Sequence, residues 1–209
     1  VPDSLLKEFC AYIEEHLPDK NHIISANEGT AIAIAAGKQI STGKTPLVYL
    51  QNSGFGNIIN PLLSLADKEV YSIPILILMG WRGEPGKIDE PQHIKQGKVT
   101  IPLLEAMKIP YFILDESVSK TKESVSLSLE LVSRIQSPVV LLAKKGVFKK
   151  YKKKNLINEN LSNLMSREDA IRQILLSFPE GTIFISSTGY ISRELYELRK
   201  KFKQKHDCD

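Results

Sequence analysis

One acidic side chain in this sequence is well placed to do chemistry. Glu28 begins a run of small and aliphatic residues, 29–37, whose composition predicts a closely packed helix. Apolar neighbours keep water away from a carboxyl group, which favours its protonated form and lets it share a proton near neutral pH. We therefore predict a chemical role for Glu28. The structural alternative is an acid that only opposes the positive end of the helix dipole.

A second segment has the pattern of a ligand-binding turn. The apolar run at residues 46–50 predicts a buried strand, and an apolar helical stretch follows at residues 58–66. A strand, a tight turn and a helix in this order bring backbone groups close to a ligand in α/β proteins. Turn chemistry alone also selects small and polar residues. The candidate ligand-lining residues of this turn are Gln51, Asn52, Ser53 and Gly54.

The third segment is a buried strand followed by a long polar loop. Residues 75–80 form a continuous apolar run, and residues 81–97 are rich in glycine, proline and charge. Long loops after buried strands are typical of functional sites. We predict that Arg82, His93 and Lys95 lie on this loop at the carboxyl edge of the sheet, where ligands bind. For His93, a surface histidine without a role is the alternative.

These segments together resemble the N-terminal, pyrimidine-binding domain of thiamine-diphosphate-dependent 2-oxoacid decarboxylases. The resemblance is carried by residues 1–6, 27–29, 51–54, 80–86 and 89–93. Within that family it is closest to the members that convert 3-phosphonopyruvate to phosphonoacetaldehyde and CO2 in phosphonate biosynthesis. The members that decarboxylate sulfopyruvate come next. Each segment alone is unspecific, but the set is specific.

The resemblance also implies roles for individual residues. Glu28 would hydrogen-bond the pyrimidine ring of thiamine diphosphate and favour its reactive tautomer. His93 and Asp3 would transfer protons or bind substrate, although Asp3 is equally well explained as a helix cap. Arg82, His93 and Lys95 would meet the two anionic groups of a small 2-oxoacid substrate. The cofactor contacts implied are Glu28, Gln51, Asn52, Ser53, Gly54, Thr188 and Gly189.

The resemblance further predicts that the sequence is incomplete at both ends. Position 1 is Val, and no Gly-Asp-Gly motif, which supplies the Mg2+ ligands in the family, is present. We therefore assign no metal ligand to this chain and expect it to be inactive by itself. Because the family builds its site from two subunits, we expect a homo-oligomer, at least a dimer.

Alternating helical and strand patterns predict a doubly wound parallel α/β sheet. We divide the chain into a pyrimidine-binding domain at 1–143, a lysine-rich linker at 144–165 and the start of a second, diphosphate-binding α/β domain at 166–209. Predicted strands are 23–24, 46–50, 75–80, 111–114, 138–143 and 182–186. Predicted helices are 5–17, 28–40, 58–66, 100–108, 119–135, 166–177 and 191–203. Asp3 or Ser4 is expected to cap the first helix.

The positive net charge is confined to one segment. Residues 144–154 contain seven lysines, and without them the net charge changes from +4 to −3. This clustering favours a solvated linker over a nucleic-acid surface, so we predict no nucleic-acid partner, with an RNA- or anion-tethering role as the alternative. No apolar run reaches the roughly 20 residues of a membrane helix, and Cys10 and Cys208 lack metal-ligand spacing. We predict a cytoplasmic protein without membrane contact.

One reading from a different class stays open. The same pattern of strands and turns would suit a non-catalytic anion- or nucleotide-binding module with a flavodoxin-like sheet. A Gly-Asp-Gly motif encoded beyond Asp209 would favour the enzyme.

Overall fold

The computed structural model describes residues 2–114, 116–152, 164–179, 181–186 and 189–204. The chain divides into two compact units, Val1–Asn155 and Leu156–Asp209. We consider each unit separately.

The first unit is built on a parallel sheet of four strands. The strands are β1 (Leu47–Gln51), β2 (Leu76–Gly80), β3 (Tyr111–Leu114) and β4 (Val139–Ala143). Their order across the sheet is β1-β2-β4-β3, and every neighbouring pair is parallel. All residues of β2 and β4 are buried, as expected of central strands covered on both faces. Their carboxyl ends therefore meet at one edge of the sheet.

Helices cover both faces of this sheet, which confirms the predicted doubly wound α/β class. The helices are α1 (Lys7–His16), α2 (Glu28–Thr42), α3 (Phe55–Pro61), α4 (Pro91–Ala106) and α5 (Val118–Ile135). Helices α2, α3 and α4 pack with one set of strand residues, including Leu50, Ile77 and Leu142. Helices α1 and α5 pack with the alternate set, including Leu78 and Leu141. The alternation follows from the two-residue period of a strand.

Local sequence signals fix the ends of α2. The side chain of Asn27 accepts a hydrogen bond from the Thr30 amide at 2.9 Å, which caps the first turn. At the other end Gly43 adopts a left-handed conformation with φ of 68°, which a glycine takes without strain. The predicted ends of this helix are thus correct within two residues, and Glu28 is its first residue.

Two predictions near the N-terminus are wrong. Residues 23–24 do not form a strand, and Ile23 and Ile24 are 60% and 56% exposed. The preceding residue, His22, contacts β1 through its side chain, because its ring nitrogen Nε2 lies 2.7 Å from the Tyr49 hydroxyl. A side-chain contact of this kind does not supply the backbone ladder that a strand needs. Helix α1 begins at Lys7 after Leu6, so neither Asp3 nor Ser4 caps it.

Helix α4 begins nine residues before the predicted start. Pro91 takes its first position, where the missing proline N–H leaves no hydrogen bond unmade. His93 and Lys95 therefore lie on a helix and not, as predicted, on a loop. Helix α3 is continued by a wider π-helical segment, Leu62–Ala66.

The described part of the second unit contains two helices, α6 (Arg167–Ser177) and α7 (Tyr190–Lys201). Ser166 accepts a hydrogen bond from the Asp169 amide at 3.0 Å, which caps the first turn of α6. Ile171, Leu175 and Leu198 form a small core. The strand predicted at residues 182–186 is absent, because these residues have no strand partner among those described in this unit. None of the helices that the structure describes has the length and apolar character to cross a membrane.

Candidate active site

The carboxylate of Glu28 lies against the turn that follows β1. A Cβ atom built on Gly54 would stand 2.3 Å from Cδ and 2.4 Å from Oε1 of Glu28, so only glycine leaves the carboxylate in this place. Asn57 donates from Nδ2 to Oε2 at 2.7 Å. Glu28 is half-buried, and Asn57 is its one recorded hydrogen-bond partner within the described ranges. The second oxygen, Oε1, has no hydrogen-bond partner among the described residues.

The remaining turn residues have different surroundings. Gln51 ends β1 and donates from Nε2 to the Ser53 hydroxyl at 2.6 Å, and Ser53 is exposed. Gly54 is buried. Of these three residues, Gly54 contacts the Glu28 side chain.

Asn52 is fully buried and holds three elements together. Its Nδ2 donates to the Arg82 carbonyl at 2.8 Å and to the Thr100 hydroxyl at 3.0 Å, and its Oδ1 accepts from the Arg82 amide at 3.1 Å. Its own carbonyl accepts from Gln96 Nε2 at 2.8 Å. The side chain therefore joins the end of β1 to the end of β2 and to α4. This positioning role was not predicted from the sequence.

Asp3 reaches the carboxyl end of β2 from the N-terminal segment. A Cβ atom on Gly80 would lie 1.8 Å from Asp3 Oδ2, so the absence of a side chain at Gly80 makes room for the carboxylate. Oδ1 accepts from the Leu5 amide at 3.2 Å, whereas buried Oδ2 has no hydrogen-bond partner among the described residues. Burial raises the pKa of Asp3, against smaller opposing effects of the Leu5 amide and Arg82.

His93 lies in the first turn of α4 and interacts electrostatically with Asp3. Its Nδ1 atom is buried and, within the part of the chain that the structure describes, has no hydrogen-bond partner. A Cβ on Gly83 would stand 1.9 Å from the His93 carbonyl oxygen, so the loop after β2 passes in direct contact with the start of α4. Two unpartnered buried polar atoms, one on Asp3 and one on His93, are what a polar ligand could satisfy.

Arg82 is paired within the protein. Its Nε donates to both oxygens of Asp89 at 3.1 and 2.9 Å, and its Nη2 also contacts Asp89. The pair holds the pKa of Asp89 well below its usual range and raises that of Arg82. Nη1 of Arg82 donates to the Ser4 hydroxyl at 2.8 Å, and Asp89 accepts from the Gly83 amide at 2.7 Å. Arg82 thus organises the loop and ties it to the N-terminal segment.

Lys95, Thr188 and Gly189 are the remaining predicted site residues. Lys95 is exposed on α4. Gly189 precedes α7 in the second unit and adopts a φ of 129°, while Thr188 lies outside the described residues. Among the described residues no group of three or more His, Cys, Asp or Glu side chains could hold a metal ion.

Sequence reasoning missed one contributor to the site and the role of another. Asp89 belongs to a segment that carries the resemblance but has no predicted role, although its spacing of seven residues from Arg82 on one loop is a usable signal for an ion pair. Asn52 is predicted as a cofactor contact, and its burial against Thr100, 48 residues away, has no signal in a single sequence.

The comparison with known proteins agrees with this geometry. Residues 1–99 match the family model described as the N-terminal TPP binding domain of thiamine pyrophosphate enzymes. The phosphonopyruvate decarboxylase of Streptomyces hygroscopicus is 29% identical over 90% of this chain and 51% of its own length. That of Streptomyces viridochromogenes is 27% identical over 87% and 48%. The chain thus spans about half the length of these relatives.

A shorter relative is covered more completely. The sulfopyruvate decarboxylase subunit alpha of Methanococcus maripaludis is 36% identical over 68% of this chain and 81% of that subunit. At this identity and coverage the chain and the alpha subunit belong to one family. The family model matched by residues 1–99 names thiamine pyrophosphate as the cofactor. The chain belongs to the family of thiamine-pyrophosphate-dependent decarboxylases that includes phosphonopyruvate decarboxylase and the alpha subunit of sulfopyruvate decarboxylase.

Proposed function

We propose that this chain is the pyrimidine-binding part of an enzyme that decarboxylates 3-phosphonopyruvate to phosphonoacetaldehyde and CO2 in phosphonate biosynthesis. The observation that carries the proposal is the Glu28 carboxylate, held against Gly54 at the carboxyl edge of a parallel sheet. The two phosphonopyruvate decarboxylases that match most of the chain support the choice of substrate.

The residues at this edge suit the pyrimidine half of thiamine diphosphate. Gly54 leaves room for the Glu28 carboxylate, which lies where a side chain at position 54 would stand. Asn57 fixes Oε2, so Oε1 of Glu28 is available to form a hydrogen bond with a ring nitrogen. When bound, the cofactor supplies the electron sink that decarboxylation of a 2-oxoacid requires. Gln51, Ser53 and Gly54 would line the ring, and Asn52 would position them.

Asp3 and His93 would handle protons and bind the substrate. Burial favours the protonated form of Asp3, and a protonated carboxyl group can both donate a hydrogen bond and release a proton. The unpartnered atoms Oδ2 of Asp3 and Nδ1 of His93 would meet polar groups of the substrate. Both residues sit beside the loop after β2, on the same sheet edge as Glu28.

The anionic groups of the substrate need positive charge. The guanidinium of Arg82 follows the carboxyl end of β2. Its charge is partly neutralised because it is paired with Asp89. Lys95 is exposed and would have to approach from α4. We propose both as substrate-binding residues, with Arg82 acting also through the shape of its loop.

The remaining parts of the site would come from other polypeptide segments. We propose that Mg2+ and the diphosphate are held by a second domain, to which Thr188 and Gly189 contribute. The relatives named as an alpha subunit support an assembly of at least two subunits. We place the protein in the cytoplasm, consistent with the free thiol of buried Cys10.

Sulfopyruvate is the second candidate substrate. The Methanococcus maripaludis relative, at 36% identity, supports it. The two substrates differ in their terminal group. A phosphonate can carry two negative charges, whereas a sulfonate carries one. A comparison of kcat/KM for the two distinguishes the candidates.

The test measures CO2 release by the full-length product of the gene that encodes this chain. Thiamine diphosphate and Mg2+ are supplied with 3-phosphonopyruvate, sulfopyruvate or pyruvate. We expect phosphonopyruvate to be used best, and Glu28→Gln to lower kcat by at least about 100-fold because a glutamine side chain cannot exchange a proton with the ring nitrogen. Glu69→Gln, at an exposed glutamate away from the site, is the matched control. Unchanged turnover in Glu28→Gln would overturn the proposal.

A further inference from the structure

A segment that follows β4 lies along the outer surface of α1. It comprises residues 147–152, all within the unit Val1–Asn155, and we call it the strap. Exposure along the strap follows residue type. The partly buried residues are the apolar and aromatic ones, Val147, Phe148 and Tyr151, and the exposed ones are Lys149, Lys150 and Lys152. The strap therefore packs against the protein through one set of side chains and leaves its lysines in water.

Tyr151 joins two carboxylates of α1. Its amide donates to Glu8 Oε2 at 2.6 Å, and its hydroxyl donates to Glu15 Oε2. Seven residues, or about two helical turns, separate the two glutamates, so both lie on the same face of α1. The Glu8 side chain is only 16% exposed, because this face is covered. One tyrosine thus spans most of the length of the helix.

Aromatic contacts add to these hydrogen bonds. The rings of Tyr151 and Tyr12 meet edge to face, with centroids 5.4 Å apart. The ring of Phe148 lies 5.8 Å from that of Phe9, which in turn meets the Tyr49 ring of β1 at 5.7 Å. Ring pairs at such distances stabilise beyond the area that they bury. The strap is therefore joined to α1 at two places and, through Phe9, to the sheet.

Helix α1 needs support of this kind. It has ten residues, and its first cap position, Leu6, makes no capping bond through its side chain. Isolated helices of this length are unstable in water, so α1 depends on its packing. Its inner face contributes buried Leu6, Cys10 and Ile13. Since the strap covers the opposite face, α1 is held from both sides.

The start of α1 is bonded to Asp3. The Leu6 amide donates to the Asp3 carbonyl at 3.1 Å, and the Leu5 amide donates to Asp3 Oδ1 at 3.2 Å. Glu8, which the strap bonds, lies in the first turn of the same helix. A displacement of this turn would move Asp3 relative to Gly80, against which its Oδ2 atom rests.

We propose that the strap holds α1 on the sheet and thereby keeps the Asp3 carboxyl group at the end of β2, with Tyr151 as a positioning residue. The hydrogen bond to Glu15 raises the pKa of Tyr151 to about 12, so its hydroxyl remains a donor at neutral pH. The value of this position for turnover rests on the proposed function of Asp3. The attachment of the strap does not, and it is tested without catalysis.

The test compares Tyr151→Phe, which loses the hydroxyl and keeps the ring, with Tyr151→Ala, which loses both. Trypsin cleavage after Lys149 and Lys150 is mapped by mass spectrometry, and amide hydrogen exchange is measured in α1 and α5. Cleavage requires the strap to leave α1, so its rate reports the detached population. We expect Tyr151→Phe to raise cleavage and α1 exchange by about three- to tenfold, as for one hydrogen bond, and Tyr151→Ala by more. Exchange in α5 should stay as in the parent.

Tyr111→Phe is the matched control. The Tyr111 hydroxyl donates to Glu105 at 3.2 Å, so this variant loses the same kind of bond on other elements. It should leave cleavage after Lys149 and exchange in α1 unchanged. Cleavage and exchange that are equal in the parent and both Tyr151 variants would overturn the attachment.

The link to Asp3 has its own signature. In Tyr151→Ala the backbone amide signal of Leu5 should shift toward its position in Asp3→Ala, because its bond to Asp3 Oδ1 is weakened. In Tyr111→Phe this signal should not move. A Leu5 signal that stays in place in Tyr151→Ala would overturn the positioning role, whatever the substrate of the enzyme.

Discussion

The side chain of Asn52 forms a two-sided bridge to the backbone of Arg82, donating to its carbonyl at 2.8 Å and accepting from its amide at 3.1 Å. The bridge joins the turn after β1, which holds Gly54 against Glu28, to the loop after β2, which touches His93. A third bond, to the Thr100 hydroxyl, extends it to α4. The relative positions of Glu28 and the Asp3 and His93 pair therefore depend on a residue that is fully buried.

Replacement of Asn52 by leucine should lower the free energy of unfolding by about 3 kcal/mol. The side chains have the same branched shape, but the Arg82 carbonyl would lose its bond from Asn52, and the Arg82 amide would keep only its longer bond to the Gly80 carbonyl, at 3.3 Å. Urea denaturation measures the change. Asn60→Leu is the control, because Asn60 is exposed and bonds only the Ser64 hydroxyl among the described residues. It should change the free energy of unfolding by less than about 0.5 kcal/mol, and similar losses in both variants would contradict the role of Asn52.

Replacement of Gly54 by alanine should displace Glu28 with little effect on stability. The new methyl group would occupy the position of the Glu28 carboxylate, but that side chain is flexible and can rotate away. We expect the free energy of unfolding to change by less than about 1 kcal/mol and decarboxylation to fall at least about tenfold. The side-chain amide signals of Asn57 should shift to the values seen in Glu28→Ala, since the same hydrogen bond is lost.

Gly56→Ala is the matched control for this prediction. A Cβ atom at Gly56 would have no other atom within 4 Å, and Gly56 lies inside α3. Alanine should therefore be neutral or stabilise by about 0.5 kcal/mol, with unchanged activity. Loss of activity in Gly56→Ala, or full activity in Gly54→Ala, would show that the contact between Gly54 and Glu28 is unimportant.

The strands and the Glu28 helix could be predicted because their signals are local. Apolar runs placed all four strands of the sheet within one residue of their observed ends. The start of α4 was missed because residues 91–99 are polar on average and carry no apolar period. Only Pro91 signalled a start, and proline is equally common in loops. His93 was therefore predicted on a loop, whereas it lies in the first turn of α4.

The two failed strands have a common cause. Residues 23–24 and 182–186 are rich in isoleucine, which favours strands, but a strand also needs a partner with free backbone groups. Neither segment is paired in the described structure. Partner choice depends on tertiary structure, and a single sequence does not encode it locally. The same limit applies to the pairing of Arg82 with Asp89, which gives Arg82 a role in organising its own loop besides the predicted one in substrate binding.

The loop after β2 meets α4 at Gly83 and Gly97. Neither position should tolerate a side chain. A Cβ atom on Gly97 would lie 1.8 Å from the Gly83 carbonyl oxygen, and backbone atoms cannot rotate away as a side chain can. We expect Gly97→Ala to lower the free energy of unfolding by about 3 kcal/mol or to prevent folding. Gly37→Ala, also inside a helix and with no atom within 4 Å of its Cβ, should stabilise by about 0.5–1 kcal/mol. Thermal denaturation of both variants checks the contrast.

Replacement of Asp3 by asparagine should stabilise the protein at neutral pH, although we expect it to reduce activity. Burial raises the pKa of Asp3 above its ordinary value of 3.8, so the folded protein binds a proton that the unfolded chain has released. The stability associated with that proton is fully present below the unfolded pKa and is lost as the pH rises through the folded pKa. Asparagine keeps the Oδ1 acceptor for the Leu5 amide and carries no charge at any of these pH values.

The measurement for Asp3 is urea denaturation of the parent and of Asp3→Asn between pH 3 and pH 8. The two free energies of unfolding should lie closest at low pH, and the variant should become progressively more stable than the parent as the pH rises. Asp67→Asn is a control, because Asp67 lies in a surface turn and bonds the Glu69 amide. A parent that gains stability relative to Asp3→Asn with rising pH would mean that attraction to Arg82 and His93 outweighs burial.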